Sequence, residues 1–342
     1  MNTKTSRKVV LASRPVGIPQ AEHFRIVEAP MPGIAQGQVL VRTVYWSVEP
    51  AMRGWVNAVG NYSEPVAVGA VMRSFASGIV DASNHPDYQV GDLVTGMLGW
   101  QEHAAVDAGV ISHKIDPNGP PLSASLGVLG LNGLTAYFGL LDIGQPKATE
   151  TVVVSTSAGS VGSAVGQIAK IHGCRTVGIA GGSEKVRQCL DVFGYDAYID
   201  YKSPDLAREL ERACPNGVDV YFDNTAGSIS DTVMARLNLR ARVVICGTAS
   251  IASWDPIPTG PRVERHLLVK RARMQGLLIF DYADRYPQGR AQLAAWVGSG
   301  QLRYIEDILP GIEQAPDAIA GLYRGENKGK RLIQVSADPT RT

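Results

Sequence analysis

Residues 151–170, TVVVSTSAGSVGSAVGQIAK, constrain the fold of this chain most strongly. An apolar stretch typical of a buried strand runs into a glycine turn, and the turn runs into a helix. Turns that bind dinucleotides carry glycines in the pattern GxGxxG, which falls here on Ser157, Gly159 and Gly162, so the first glycine is missing. The remaining glycines let the backbone approach a pyrophosphate at the helix N-terminus. For the turn taken alone, the alternative is a plain strand-to-helix connection.

Apolar strands alternate with helix-length segments from this point on. The strand signals fall at residues 151–156, 176–181, 197–200, 218–224 and 241–247, with a sixth at 273–280. This alternation predicts a parallel sheet with helices on both faces, a doubly wound α/β arrangement.

The remainder of the chain shows a different pattern of predicted elements. The first part is strand and turn, with alternating segments at 38–45, 78–82 and 92–97, and it ends in the breaker DPNGPP at 116–121. Residues 122–141 are predicted to be helical. The tail, with strands at 304–309 and 330–335 around a helix at 316–323, is expected to return to the first domain. The predicted domains are therefore 1–123, an inserted 124–309, and a returning 310–342.

Composition excludes several classes of protein. The chain has 342 residues, with 33 Lys and Arg against 32 Asp and Glu, so it has no broad basic field for nucleic acid. Its four cysteines form no CxxC pair, so no metal site is expected. Its apolar runs are too short to span a membrane, and residues 1–10 are not followed by an apolar signal core. We therefore expect a cytoplasmic protein.

The end of the second predicted strand indicates the cofactor. An NAD enzyme places Asp or Glu there for the ribose 2′-hydroxyl, whereas residues 180–185 read AGGSEK. Glycines at the strand tip and Lys185 at the next helix start favour a 2′-phosphate, which predicts NADPH. The alternative is that Lys185 is a solvated lysine and that Glu184 serves NAD.

Several motifs together resemble one protein family. SVEPAMRG at 47–54 is similar to SVDPYMRG, DNTAG at 223–227 to DNVGG, and GENKGK at 325–330 to GxNxGK. The segment GLNGLTAYFGL at 130–140 is also similar. Over nearly its whole length the chain resembles the zinc-independent medium-chain dehydrogenase/reductase proteins. Within these it is most similar to the leukotriene hydroxydehydrogenase/prostaglandin reductase group, which includes alkenal and curcumin double-bond reductases.

The resemblance implies a GroES-like β-barrel catalytic domain with an inserted Rossmann domain, a cofactor cleft between them, and a homodimer. It places Gly159, Ser160, Val161 and Gly162 on the pyrophosphate and Lys185 and Tyr201 at the 2′-phosphate. The nicotinamide side and the rest of the cofactor cleft would be formed by Asn224, Cys246, Gly247, Thr248, Ser250, Leu277, Leu278, Ile279 and Asn327. The alternatives are a loop role for Tyr201, a turn role for Asn327, a core thiol at Cys246 and a buried strand at 277–279.

The implied reaction reduces a carbon–carbon double bond conjugated to a carbonyl, with hydride to the β-carbon and enolate stabilisation. Many relatives carry a tyrosine for the carbonyl oxygen where this chain has Ala252. We expect Tyr62 to replace it, unless it is only a loop tyrosine or a cofactor ribose hydroxyl serves instead. The pocket would also include Arg53, Ala252 and Trp254, with His103 and Ser253 as weaker candidates and a structural salt bridge as the alternative for Arg53.

The expected partner is a small enone or enal, with no nucleic acid and no membrane. Two other functions stay open from the sequence. The chain could reduce quinones or act as a zinc-free alcohol dehydrogenase on the same fold, or it could bind NADPH without turnover because Ala252 replaces the tyrosine.

Overall fold

A computed structural model describes residues 4–251, 254 and 256–341. The chain divides into two compact units. The first unit comprises Met1–Leu126 and Glu306–Thr342, and the second unit comprises Gly127–Ile305. The functional domain boundaries expected at 123/124 and 309/310 stay a prediction.

The strands and α-helices have the following bounds. The strands are β1 (Thr5–Leu11), β2 (Phe24–Pro30), β3 (Gln38–Ser47), β4 (Ala76–Ser83), β5 (Leu93–Gly96), β6 (His103–Asp107), β7 (Ile111–Ile115), β8 (Thr151–Ser155), β9 (Arg175–Ala180), β10 (Ala197–Asp200), β11 (Val218–Asp223), β12 (Leu237–Ile245), β13 (Arg273–Gly276), β14 (Glu306–Pro310) and β15 (Lys330–Gln334). The α-helices are α1 (Met52–Trp55), α2 (Leu131–Phe138), α3 (Ser160–Ile171), α4 (Ser183–Asp191), α5 (Leu206–Ala213), α6 (Gly227–Met234), α7 (Glu264–Lys270), α8 (Tyr286–Gly298) and α9 (Ala315–Tyr323). None of the helices described is long and apolar enough to cross a membrane.

The second unit contains the predicted parallel sheet. Its strands lie in the order β10-β9-β8-β11-β12-β13, and the paired strands run parallel. Every residue of β8 is buried, as expected for a strand covered on both faces. The order reverses direction between β8 and β11, and ligands of such sheets bind beyond the carboxyl ends of the strands at this point. The doubly wound arrangement expected from the sequence is confirmed.

Two predicted elements differ from the structure. The helix expected at 122–141 is broken into a 3-10 turn at Leu122–Leu126, helix α2, and a π-helical turn at Gly139–Gly144. It breaks because Gly130, with φ −101° and ψ −157°, is extended. The strand expected at 273–280 stops at Gly276, since Gly276 pairs with Ile245, the last residue of β12. Beyond it a 3-10 turn forms at Ile279–Arg285.

The first unit is built on a largely antiparallel sheet with the order β14-β15-β3-β4-β5-β7, with β6 also paired to β3. Strands β1 and β2 form a separate antiparallel pair. The tail returns to this sheet, because β15 pairs with β3 and β14 runs parallel to β15. The core of the unit includes the fully buried rings of Trp46 and Trp100, which stack with centroids 6.4 Å apart.

Candidate functional site

The glycine turn lies between β8 and α3 in the second unit. A Cβ atom on Gly162 would lie only 2.3 Å from the carbonyl oxygen of Thr156, so the close approach of helix to strand requires glycine there. The amides of Ser160, Val161 and Gly162 precede the first intrahelical hydrogen bond and have no acceptor among the described residues. These amides and the positive end of the helix dipole suit an anion such as a phosphate.

Ser157 replaces the first glycine of the pattern without disturbing this turn. Its amide donates to the carbonyl of Ile179, and its hydroxyl lies 3.2 Å from the thiol of Cys189. The serine side chain is therefore buried beside α4 rather than placed over the helix N-terminus. This contact explains why serine is accepted where the pattern expects glycine.

The tip of β9 carries the residues expected at the 2′-phosphate end of a cofactor. Tyr201 is 45% exposed, and its ring would lie 2.7 Å from a Cβ on Gly181, so it covers the glycine backbone. Lys185 lies half-buried in the first turn of α4. Gly182 has φ +88°, a left-handed conformation that favours glycine.

Asp200, which the sequence interpretation did not single out, organises this tip. Its carboxylate accepts hydrogen bonds from the amides of Gly182 and Lys202, at 3.1 and 3.0 Å. The acidic side chain at this tip therefore comes from the end of the neighbouring strand β10. It binds the main-chain amides of Gly182 and Lys202. An Asp at the end of a short strand was the signal that could have identified it.

Asp223 at the end of β11 is the most heavily hydrogen-bonded carboxylate in the region. It is 1% exposed. Its donors are the amides of Thr225 and Ala226 and the hydroxyls of Ser155, Thr225, Tyr221 and Ser230. Burial raises the pKa of Tyr221, whose hydroxyl is 3.0 Å from the carboxylate. Buried polar groups with complete networks rigidify their surroundings, so Asp223 fixes the conformation of the loop after β11.

The predicted nicotinamide-side residues of the second unit lie together at the ends of β11 and β12. The main-chain carbonyl of Asp223 accepts from the amides of Cys246 and Gly247, at 2.8 and 3.1 Å. The Ser250 amide and hydroxyl both donate to the Thr225 carbonyl, at 3.0 and 2.8 Å. Thr248 lies in the same turn, and its carbonyl accepts from Ile251. Burial raises the pKa of the Cys246 thiol to about 12, so this thiol is protonated at neutral pH.

Residues 277–279 follow the edge of the same sheet as an irregular segment. The Leu277 amide donates to the Ile245 carbonyl at 2.9 Å, which extends the path beside β12 by one residue. Leu277, Leu278 and Ile279 are half-buried. The buried strand considered for this run is therefore wrong. Their assignment to the cofactor stays a prediction.

Among the tentative pocket residues, Trp254 is 55% exposed, whereas Ala252 and Ser253 lie outside the described residues. The part of the chain that the structure describes contains no group of three or more His, Cys, Asp or Glu side chains able to hold a metal ion.

The remaining candidates belong to the first unit. Asn327 is half-buried, and its side-chain amide donates to the Gly329 carbonyl at 2.8 Å, a turn contact. Tyr62 is 51% exposed in the loop after α1. His103 lies on β6 with Nδ1 3.1 Å from the Ser6 hydroxyl, and burial lowers its pKa. The roles of Asn327 and Tyr62 stay predictions.

Arg53 does not form the structural salt bridge considered for it. No carboxylate of a described residue lies within ion-pair distance of its guanidinium, which instead rests on the ring of Tyr323 with 5.1 Å to the centroid. The side chain is nevertheless buried, with 8% of the residue exposed.

Comparisons with known proteins agree with this architecture. A family model described as "N-terminal domain of oxidoreductase" matches residues 7–113, and one described as "Zinc-binding dehydrogenase" matches residues 160–296. The NADPH-dependent curcumin reductase of Escherichia coli is 44% identical over 338 residues, covering 97% of this chain and 98% of the relative. The NADP(+)-dependent 2-alkenal reductase of Nicotiana tabacum is 36% identical over 340 residues, covering 98% of each chain.

A solved structure extends these similarities to three dimensions. The crystal structure of CurA from Vibrio vulnificus in complex with NADPH superimposes with a TM-score of 0.92 at 44% identity, covering 97% of this chain and 99% of that one. The identity, coverage and fold together show that this chain belongs to the zinc-independent medium-chain dehydrogenase/reductase family, in its group of prostaglandin and alkenal reductases.

Proposed function

We propose that this protein is an NADPH-dependent reductase of carbon–carbon double bonds conjugated to a carbonyl. The observation that carries the proposal is the group of main-chain amides at the N-terminus of α3 that have no acceptors among the described residues, which suits an anion. The chain is also 44% identical to an NADPH-dependent curcumin reductase. The relatives named as curcumin and 2-alkenal reductases support the substrate class.

The residues present fit a dinucleotide cofactor. A Cβ on Gly159 would lie 3.0 Å from Thr156 and one on Gly162 only 2.3 Å from its carbonyl oxygen, so glycine at these two positions lets α3 begin close to β8. In the proposal the amides of Ser160, Val161 and Gly162 bind the pyrophosphate. These contacts need no charged side chain, since the helix terminus supplies the positive potential.

The 2′-phosphate end is assigned to Lys185 and Tyr201. Lys185 supplies a positive charge at the start of α4, and Tyr201 supplies a ring and a hydroxyl beside Gly181. Asp200 supports the assignment because its carboxylate is engaged by the amides of Gly182 and Lys202. NADPH thus fits this tip better than NADH.

The loops after β11 and β12 are proposed to line the nicotinamide side. Asn224 is held by Ser155, and residues 246–250 are held by the main chain of residues 223–226. Bound NADPH supplies the hydride. The hydrogen bonds of the protein keep these loops in one conformation, so the loops need little reorganisation during the reaction.

Hydride addition to the β-carbon leaves negative charge on the carbonyl oxygen of the substrate, which a hydrogen-bond donor must stabilise. Because position 252 is alanine, we assign this donor to the hydroxyl of Tyr62. Its partial exposure on a loop supports access of a small molecule to the side chain.

We also propose a homodimer that forms at the edge of the parallel sheet. Strand β13 is the last strand of the sheet, and its residues are largely exposed. On the preceding helix α7, Leu268 and Val269 are 78% and 54% exposed. An unpaired edge next to exposed apolar side chains is a surface that proteins normally cover. Leu268→Asp is expected to shift the mass measured by light scattering from dimer to monomer, and an unchanged mass contradicts this interface.

Parallel assays test the proposed activity. NADPH oxidation is measured with an enone, a quinone and a ketone at equal concentrations, and NADH replaces NADPH in a second series. The proposal predicts the highest kcat/KM for NADPH with the enone. A quinone or ketone preference, or NADPH binding without oxidation of any acceptor, contradicts it.

A further inference from the structure

Lys330, the first residue of β15, carries a buried ammonium group. The residue is 4% exposed, and burial lowers its pKa while Glu49 acts against this change. Its Nζ donates to the Ser47 hydroxyl at 2.6 Å, the Val48 carbonyl at 3.2 Å and the Glu49 carboxylate at 2.5 Å. An ammonium has three N–H donors, so these acceptors use all of them. The acceptors belong to consecutive residues, so one side chain fixes the path of the main chain at the end of β3.

Other residues of the returning tail continue this contact along the same segment. The hydroxyl of Tyr323, on α9, donates to the Pro50 carbonyl at 3.1 Å. The Val48 amide donates to the Arg331 carbonyl at 3.2 Å. Each residue of the segment 47–50 is therefore hydrogen-bonded to the tail, which lies far away in the sequence.

The segment held in this way leads directly into α1 and the loop that carries Tyr62. The loop is closed at its base, where the Val66 amide donates to the Trp55 carbonyl at 2.8 Å. A Cβ on Gly54 would lie 2.7 Å from the side-chain nitrogen of Asn61, the residue before Tyr62. Compact loops whose ends lie close together are held by their own packing, so a shift at the start of α1 moves this loop with it.

We propose that Lys330 is a positioning residue, which holds α1 and the following loop so that the Tyr62 hydroxyl stays in place for the carbonyl oxygen of the substrate. This inference rests on the proposed reductase function, in which Tyr62 is the donor to that oxygen. Misplacement of such a group by about 1 Å can lower a rate about a hundredfold. The contribution of Lys330 is therefore expected in kcat and not in the affinity for NADPH.

The test uses Lys330→Met, which retains the aliphatic stem and removes the donors. We expect kcat for an enone to fall about tenfold or more, whereas the Kd of NADPH, measured by calorimetry, changes less than about twofold. Hydrogen exchange of residues 52–66, measured by mass spectrometry, should become faster. Lys114→Met is the control, since Lys114 pairs with Asp92 at 2.7 Å in the same unit and should affect neither measurement.

A second background separates an effect through Tyr62 from general damage. If Lys330 acts through Tyr62, Lys330→Met lowers kcat little further in a Tyr62→Phe protein, because changes within one coupled unit are not additive. An equal loss of kcat in both backgrounds overturns the proposal. If Tyr62→Phe alone keeps full turnover, the donor assignment fails, and hydrogen exchange still decides whether Lys330 holds the loop.

The variant that combines Glu49→Gln with Lys330→Met guards against simple unfolding. Loss of Lys330 alone leaves the Glu49 carboxylate without its ammonium partner, which is strongly destabilising, whereas removal of both charges costs much less. We expect the combined variant to recover Tm but to keep the low kcat, because Ser47 and Val48 still lack their donor. Recovery of kcat together with Tm, or unchanged kcat and exchange in the folded variants, overturns the proposal.

Discussion

Asn224 and Ser155 are joined by two hydrogen bonds that connect the ends of adjacent strands. The Asn224 amide donates to the Ser155 hydroxyl at 2.8 Å, and the Asn224 side chain donates to the Ser155 carbonyl at 2.7 Å. The Ser155 hydroxyl in turn donates to the carboxylate of Asp223 at 3.3 Å. The switch point of the sheet is therefore fixed by a network centred on Asp223.

Replacing Asp223 by Asn is expected to weaken NADPH binding. An amide has one acceptor oxygen and introduces two donors, so several of the donors that now meet the carboxylate lose their acceptor. We expect the Kd of NADPH to rise about tenfold or more, with a lower Tm, measured by fluorescence titration and thermal unfolding.

Tyr221→Phe is the matched control, since it removes one donor to the carboxylate and retains the ring. It should change the Kd by no more than about fivefold, which corresponds to the net value of one hydrogen bond, about 1 kcal/mol. If Asp223→Asn binds NADPH like the unmodified protein, Asp223 does not position the cofactor loops.

Gly162→Ala is expected to abolish tight NADPH binding while leaving a folded protein. The added methyl group meets the Thr156 carbonyl at 2.3 Å, so the start of α3 must move away from β8 and its amides leave the phosphate position. Gly298→Ala is the control because a Cβ there meets no atom within 4 Å. Equal NADPH affinity in the two variants, measured by calorimetry, would show that the turn does not bind the pyrophosphate.

Lys185→Ala tests the choice of cofactor. Loss of one charged contact to a 2′-phosphate should reduce the ratio of kcat/KM for NADPH to that for NADH about tenfold, through a higher KM for NADPH alone. Lys170→Ala is the control, since Lys170 pairs with Asp196 at 2.6 Å. An unchanged cofactor ratio in Lys185→Ala counts against the assignment.

Tyr62→Phe tests the donor to the carbonyl oxygen. Removal of one oxyanion donor typically lowers kcat about a hundredfold or more, and the Kd of NADPH should stay constant. Phenylalanine retains the ring, so a loss of activity reports the hydroxyl rather than packing. Turnover equal to that of the unmodified protein removes Tyr62 from this role.

The cysteines predict a loss of stability at alkaline pH. Burial raises the pKa of Cys174, Cys189 and Cys214 from 9.0 to about 11. Between these values the unfolded thiols ionise and the folded thiols do not, so the unfolded state binds fewer protons. The stability that the buried thiols contribute is fully present below pH 9 and is lost as the pH rises toward 11. We therefore expect Tm to fall over this range. Native thiols that react with a disulfide reagent at pH 8 as fast as in urea would contradict these pKa values.

The predicted strands agree with the structure where the hydrophobicity and spacing of nearby residues determine where a strand forms. Strand β10 begins and ends at the predicted residues, and the tail returns to the first sheet. The prediction failed at 273–280 because the length of β13 depends on where its neighbour β12 ends, a long-range pairing that a local pattern does not contain.

The site was predictable only in part for a similar reason. The glycine turn is visible in the sequence because all of its residues lie within a few positions of one another. The position of Asp200 at the end of a short strand is visible in the sequence. The hydrogen bonds that give Asp200 and Asp223 their roles involve amides and hydroxyls from other strands and turns, and a local pattern does not contain these partners. Arg53 is assigned to the pocket by the resemblance, with a salt bridge as the alternative, whereas its observed contact is with the ring of Tyr323, a residue far away in the sequence. The homodimer and the cytoplasmic location stay predictions.

The most direct test of the proposed reaction follows the hydride itself. NADPH that carries deuterium on the transferred position is incubated with the protein and an enone, and the product is examined by NMR. We predict a saturated ketone with a single deuterium on the former β-carbon. An allylic alcohol with deuterium on the former carbonyl carbon, or the absence of deuterium from the product, would contradict the account.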